Sequence, residues 1–163
     1  MLEGGEDPRF IARRMVILAS EDIGNADPQA LLVATAAGAA VDRVGLPECR
    51  LNLAQAAVYL ALAPKSNASH EALGAATAQV REHGAKPPPP YLQDAHYYGA
   101  RKLGRGVGYV YPHDQPGGLA GQPLAPEGLE EERFYEPTDR GFEGELRRRL
   151  EAIRRAAGRR QGP

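Results

Sequence analysis

The sequence predicts an all-α protein: a compact bundle of four main helices, then a long Gly/Pro-rich structured loop and a C-terminal amphipathic helix. Three observations carry this. Apolar residues recur at helical spacing through four successive stretches, each closed by its own cap or breaker. Period-two alternation, the mark of a half-buried strand, is almost absent. Alanine is abundant in the helical stretches, and small side chains let helix axes approach closely.

The elements follow in order. Met1 and Leu2, cut off against the loop "EGGEDP", look like the end of an earlier helix, so the chain is expected to be a piece of something larger. "DPRFIARRMVILASEDIG" opens with Asp7 as N-cap and Pro8 at the first helical position, where a missing N–H costs nothing. Ile11, Met15 and Leu18 form its stripe, widened by Phe10 and Ile17. Asp27 and Pro28 repeat the device for a second helix that stops near Gly45. The third, "PECRLNLAQAAVYLALAP", puts Leu51, Ala54, Val58 and Leu62 on one face and ends at Pro64. The fourth runs from about Ser69 to Gly84, with Leu73 and Val80 sharing a face and Arg81 and His83 at the negative C-terminal end.

Residues 1–86 are thus the expected bundle core. Residues 87–137 form the loop region: "KPPPPYL" as a stiff polyproline spacer, a short helix over roughly Asp94–Leu103, and a stretch dense in Gly and Pro. Tyr109, Tyr111, Phe134 and Tyr135 give it apolar area to bury, so a packed lobe is expected rather than disorder. Residues 138–163 form the arginine-rich amphipathic helix and tail of the same domain, capped by Thr138 or Asp139, with Phe142, Leu146, Leu150, Ile153 and Ala157 on its apolar face.

Composition narrows the function. A net charge of -1 argues against a protein that coats nucleic acid over its whole surface, although eight arginines against three acids follow position 139. One cysteine, Cys49, excludes an internal disulfide and suits a reducing cytoplasm. No apolar run is long enough for a membrane span, so no membrane partner is expected.

Candidate chemistry is thin. "APKS", residues 63–66, echoes the end of a P-loop but lacks its phosphate-cradling glycines and ends a helix instead of opening one. His113 and Asp114 could act as an acid/base pair in a small hydrolase, but no nucleophile sits beside them; they are expected instead to pin a rigid turn. The histidines are scattered singly and Cys49 has no companion, so no metal site is expected. Asn52, Gln55 and Tyr59 form a polar stripe on an apolar helix and need partners, inside the bundle or across a subunit interface. Arg13 and Arg14 lie beside the first apolar stripe, available to Glu21, Asp22 or a neighbouring subunit. Arg147, Arg148, Arg149, Arg154 and Arg155 offer non-specific phosphate contacts. The plainer reading makes them a solvated face, with Glu143, Glu145 and Glu151 as helix-spaced partners for Arg147, Arg149 and Arg155.

Four motifs in order carry a resemblance: "GGEDPRFIARRMVILASEDIGNADPQAL", "PECRLNLAQAAVYLALAPKSNAS", "DAHYYGARKLGRGVGYVYPHDQPGG" and "RFYEPTDRGFE". Together they resemble the C-terminal region of the RarA/MgsA family of replication-associated recombination AAA+ ATPases, which includes the Werner-helicase-interacting protein. The resemblance implies an all-helical domain akin to the clamp-loader collar that assembles its protein into a homotetramer. It implies ATP and magnesium in a separate ATPase module and none here. It also implies action at replication forks on single-stranded or gapped DNA, a single-stranded DNA-binding protein as partner, and a cytoplasmic, nucleoid-associated location. On this reading Arg13, Arg14, Asn52, Gln55, Tyr59, Tyr109, Tyr111, His113 and Asp114 are interface or structural candidates, with Tyr109, Tyr111 and His113 buried or at a subunit contact. The five arginines of the last helix are DNA-contact candidates.

Overall fold

The computed structural model describes residues 1–158; Arg159 and Arg160 of the basic C-terminal stretch lie outside the described residues. Among the described residues there are five α-helices and no strand: α1 Pro8–Leu18, α2 Gln29–Val44, α3 Cys49–Leu62, α4 Ala68–His83 and α5 Glu143–Gly158. The chain falls into two compact units, with divisions inside α4, between Arg133 and Phe134, and inside α5.

The first unit comprises Met1–Ala75 and Phe134–Arg147. The Asp7 carboxylate accepts from the Arg9 amide at 2.9 Å, and Asp27 does the same for Gln29 at 3.0 Å, so both Asp-Pro starts are built as the sequence indicates. α1 continues through a wide turn, Ala19–Ile23, and a tight one, Gly24–Ala26. Its core is a three-helix seam. α2 buries Ala30, Ala34, Ala37 and Val41, and α3 buries Cys49, Leu53, Ala56 and Leu60. Both sets follow the same 4-3-4 spacing, which keeps one stripe of each helix on its neighbour. Ile11 and Ala12 of α1 join Val41, Cys49 and Leu53 at one end, with Leu2 and Met15 packed against them. Ile23 and Leu60 join Ala19, Ala30 and Ala34 at the other. Burying each of the large side chains contributes roughly 1.5–3 kcal/mol, and the alanines supply the close approach that lets them meet.

The structure corrects the stripe that the sequence assigned to α3. Leu51, Ala54, Val58 and Leu62 are all exposed, and the buried face is the opposite one. α3 carries apolar side chains on both its faces, so its periodicity does not tell which side faces the core. Leu73 and Val80 of α4 are likewise exposed.

Residues 138–143 dock onto this unit. The Phe142 amide donates to the carbonyl of Ala26 at 2.8 Å, and an Arg140 guanidinium nitrogen donates to the carbonyl of Lys65 at 3.1 Å. Gly141 makes the approach possible. Its φ is +51°, and a Cβ there would stand 2.2 Å from the Ala26 oxygen and 2.7 Å from Pro64 Cγ. Gly141→Ala is therefore expected to cost about 2 kcal/mol through backbone strain and displacement of the docked segment. Thermal denaturation checks it; an unchanged midpoint would show that the segment is free to move.

The second unit comprises Ala76–Arg133 and α5 from Arg148 onward. Between its helices the chain is a series of tight turns, Pro90–Leu92, Ala100–Leu103, Pro112–Asp114 and Pro116–Gly118. The polyproline stretch anchors it. Lys86 Nζ donates to the Glu127 carbonyl at 2.9 Å, Tyr91 donates its hydroxyl to the Pro123 carbonyl, and the Gln93 amide donates to the Pro88 carbonyl at 2.9 Å. The short helix expected over Asp94–Leu103 is reduced to the single turn Ala100–Leu103. Asp94 instead accepts from the His96 amide at 3.0 Å and from His96 Nδ1 at 2.6 Å, a local turn that competes with helix. Nor are Tyr109, Tyr111 and His113 buried; all three are exposed.

Candidate functional site

Two features of the first unit stand out: a carboxylate with no access to water, and a helix face with no charge.

The carboxylate is Glu143, the first residue of α5, with 0% of its surface exposed. Its Oε2 accepts from Ser66 Oγ at 2.6 Å, Thr138 Oγ1 at 2.7 Å and the Thr138 amide at 2.9 Å, and its Oε1 accepts from the Tyr135 hydroxyl at 2.9 Å. A second ring of bonds holds those donors. Asn25 Nδ2 donates to Tyr135 at 3.3 Å and to Ser69 Oγ at 3.2 Å, and Ser66 Oγ accepts from the Ala68 amide at 3.3 Å. Burial alone would raise the carboxyl pKa. The bonds from Ser66, Thr138 and Tyr135 outweigh it and hold Glu143 ionised below the usual carboxylate range. Burial pushes the Tyr135 phenol up, opposed by the bond from Asn25 and aided by Glu143.

Every bond that Glu143 accepts here comes from a neutral donor, and no basic side chain among the described residues answers it. This corrects the reading of Glu143 as a surface partner for Arg147. The arrangement ties "EDIGNA", "PKSNAS" and "FYEPTDRGFE" to one point, so stretches that stood out in the sequence meet at a structural latch. Ser66 lies 77 residues from Glu143, and no local pattern announces such a pair. The one local signal was a threonine five residues before a glutamate at a helix start.

Lys65 explains the P-loop echo. Its Nζ donates to the carbonyls of Leu60 at 2.9 Å, Ala61 at 3.3 Å and Ala63, so it caps the C-terminal end of α3, where a cation is favoured. A lysine so engaged does not fit a phosphate cradle. His113 and Asp114 sit exposed on the Pro112–Asp114 turn, where His113 packs against Tyr111 with ring centroids 5.1 Å apart. No group of three or more His, Cys, Asp or Glu is placed to hold a metal among the described residues. No helix among them is long and apolar enough to cross a membrane.

The uncharged face belongs to α3. From Leu51 to Pro64 the sequence has no charged residue, yet Leu51, Val58 and Leu62 are 75%, 62% and 82% exposed. Exposed Ala54, Ala57 and Ala61 lie between them. The polar stripe divides. Tyr59 donates to Asp27 at 2.7 Å, within the chain, and that bond raises its pKa. Asn52 and Gln55 line a groove between α2 and α3, with Val33, Ala36, Ala37 and Ala56, and their side-chain amides have no hydrogen-bond partner among the described residues. Arg13 lies over the Phe10 ring at 6.0 Å and Arg14 is exposed on α1. Arg147, Arg148, Arg149, Arg154 and Arg155 are all exposed along α5.

Comparison with known proteins places this architecture. The family described as "MgsA AAA+ ATPase C terminal" matches residues 1–154. An AAA domain-containing protein of Mycobacterium tuberculosis is 49% identical over 162 residues, 99% of this chain and 36% of that protein. Replication-associated recombination protein A of Escherichia coli is 42% identical over 151 residues, 92% of this chain and 34% of that protein. ATPase WRNIP1 of Dictyostelium discoideum is 42% identical over 139 residues, 83% of this chain and 16% of that protein. The chain thus spans about a third of the two bacterial relatives and less of the third. The chain belongs to the MgsA AAA+ ATPase C-terminal family.

Proposed function

We propose that this chain is the self-association module of a replication-associated recombination ATPase and assembles that protein as a homotetramer, with the outer face of α3 forming one two-fold contact of the assembly. One observation carries the reading: a fourteen-residue helix without charge after Arg50, whose Leu51, Val58 and Leu62 face water. Exposed large apolar side chains grouped on one helix face mark an interaction site. A second copy is the occupant that fits. The alanines allow two α3 helices to approach closely, and Asn52 and Gln55 supply amides that pair with their own equivalents across a two-fold. ATP and magnesium belong, on this reading, to a separate part of a longer protein. Single-stranded or gapped DNA and a single-stranded DNA-binding protein are partners of that whole, which works in the cytoplasm on the nucleoid.

Methyl NMR over a dilution series locates the contact. Signals of Leu51, Val58 and Leu62 are expected to shift with concentration while those of buried Leu53 and Leu60 stay fixed. Concentration-independent signals at all five positions would remove α3 as the interface.

A further inference from the structure

The second unit carries a surface of a different kind. Between Asp94 and Asp114 the chain has no acidic residue, but it has Arg101, Lys102 and Arg105 and four tyrosines, Tyr97, Tyr98, Tyr109 and Tyr111. None of the four rings is buried, and Tyr98 is 97% exposed. Tyrosines interleaved with cations on a turn-rich loop are not a core in waiting. A core would have taken the rings in, and the neighbouring Ala100 is fully buried while its tyrosines are not.

The loop that presents them is tied down at several points. The Ala100 amide donates to the Tyr97 carbonyl at 3.2 Å, the Lys102 amide to Gly99 at 3.0 Å and the Arg105 amide to Ala100 at 3.1 Å. The Gly106 amide donates to the Pro90 carbonyl at 2.9 Å. Only glycine fits at 106, where φ is +68° and a Cβ would stand 2.5 Å from the Cβ of Ala95. The Gln122 side chain accepts from the Val110 amide at 2.9 Å and donates to the Gly108 carbonyl at 2.8 Å, clamping the length of chain that bears Tyr109 and Tyr111. Rings on so constrained a backbone lose little further entropy on binding. Charge and ring already meet in places: Arg105 lies over Tyr97 at 5.5 Å, and His113 packs against Tyr111. The flanking carboxylates are Asp94, which is engaged with His96 and near enough to Arg105 to feel its charge, and Asp114 at the far end.

We infer that the loop from Ala95 to His113 is a binding site for single-stranded DNA, with the exposed tyrosines stacking on bases and Arg101, Lys102 and Arg105 contacting phosphates. Aromatic faces beside cations are the chemistry that holds unpaired polynucleotide without regard to sequence, because every base has a π-face. A duplex hides those faces. The choice of DNA over RNA rests on the proposed role in replication-associated recombination; the site itself does not depend on α3 or on self-association.

The test is fluorescence anisotropy of the 163-residue chain with labelled oligo-dT of about 15 nucleotides, a length that one binding fold covers. Tyr98→Ala is expected to weaken binding roughly tenfold and Tyr98→Phe to keep it, since one stacked base contributes that order of affinity. Tyr98 is almost wholly exposed, so neither variant disturbs the fold. Replacing Arg101 and Lys102 by Gln is expected to flatten the slope of log affinity against log salt by about 1.4, from roughly 0.7 per phosphate contact. A duplex of the same length is expected to bind more weakly. Four results would each overturn the site: no binding of oligo-dT, equal binding by native chain and Tyr98→Ala, binding abolished by neutralising Arg147, Arg148 and Arg149 alone, or tighter binding of oligo-rU than of oligo-dT. A Tyr98→Ala chain that keeps its DNA affinity but loses self-association would do so as well, by making the aromatic surface a subunit contact. Light scattering on the same variant separates this outcome from a failure of the α3 reading, which Leu62→Glu addresses independently.

Discussion

Glu143→Ala is expected to destabilise the chain by about 4 kcal/mol, near the upper end of what a point substitution does. The truncation leaves a small void, but the greater cost is polar. Ser66, Thr138 and Tyr135 keep their donors in a site from which water is excluded, and each unsatisfied buried donor costs about 1–3 kcal/mol. Glu143→Gln separates charge from volume. It keeps the shape but places an amide NH2 group against three hydroxyls and a backbone N–H, so about half the loss is expected to remain. The pH dependence has a definite sign. The folded carboxyl titrates below its unfolded value, so the unfolded chain binds more protons in between and stability falls with falling pH. The contribution is complete above the unfolded pKa of about 4.3 and disappears as pH falls through the lower, folded value. Urea denaturation of the native chain and both variants between neutral and acid pH measures all three effects. A Glu143→Ala chain as stable as the native one would mean that the site admits water and the latch is not closed.

The second large effect concerns assembly. Leu62→Glu puts a charge on the most exposed leucine of α3, on a face that has none. In a monomer this substitution touches nothing, so the fold is expected to hold within about 0.5 kcal/mol. In a two-fold contact it buries two like charges without partners, which costs several kcal/mol and is expected to shift self-association by two orders of magnitude or more. The diagnostic is the split between unchanged helical circular dichroism and a lowered mass.

Much of the fold was legible in the sequence, and the reasons it was not wholly so are specific. Asp7-Pro8 and Asp27-Pro28 announced two helix starts, and Ile11 marked the core stripe of α1, because capping and period are local properties. α3 defeated the same reasoning. With no charge after Arg50 and apolar residues on both sides, its sequence does not choose between two faces, and Cys49, Leu53, Ala56 and Leu60 went inward because they complement the alanine seam of α2. Only the tertiary partner could decide that. Glu143 was misread for a related cause. Near Arg147 it looks like half of a surface pair, while its actual partners arrive from the Ser66 turn and the Tyr135–Thr138 segment. The polar stripe was open between a bundle and an interface, and the structure splits it: Tyr59 answers to Asp27, and Asn52 and Gln55 do not find a partner among the described residues.

If assembly is encoded in this chain and resides on the outer face of α3, the mass in solution must depend on that face. Light scattering across a concentration series, on the native chain and on Leu62→Glu, tests this most directly. The native chain is expected to have four times the monomer mass, with Leu62→Glu a folded species of lower mass. A native chain that stays monomeric at the highest concentration, or a Leu62→Glu chain that assembles as the native one does, would contradict it.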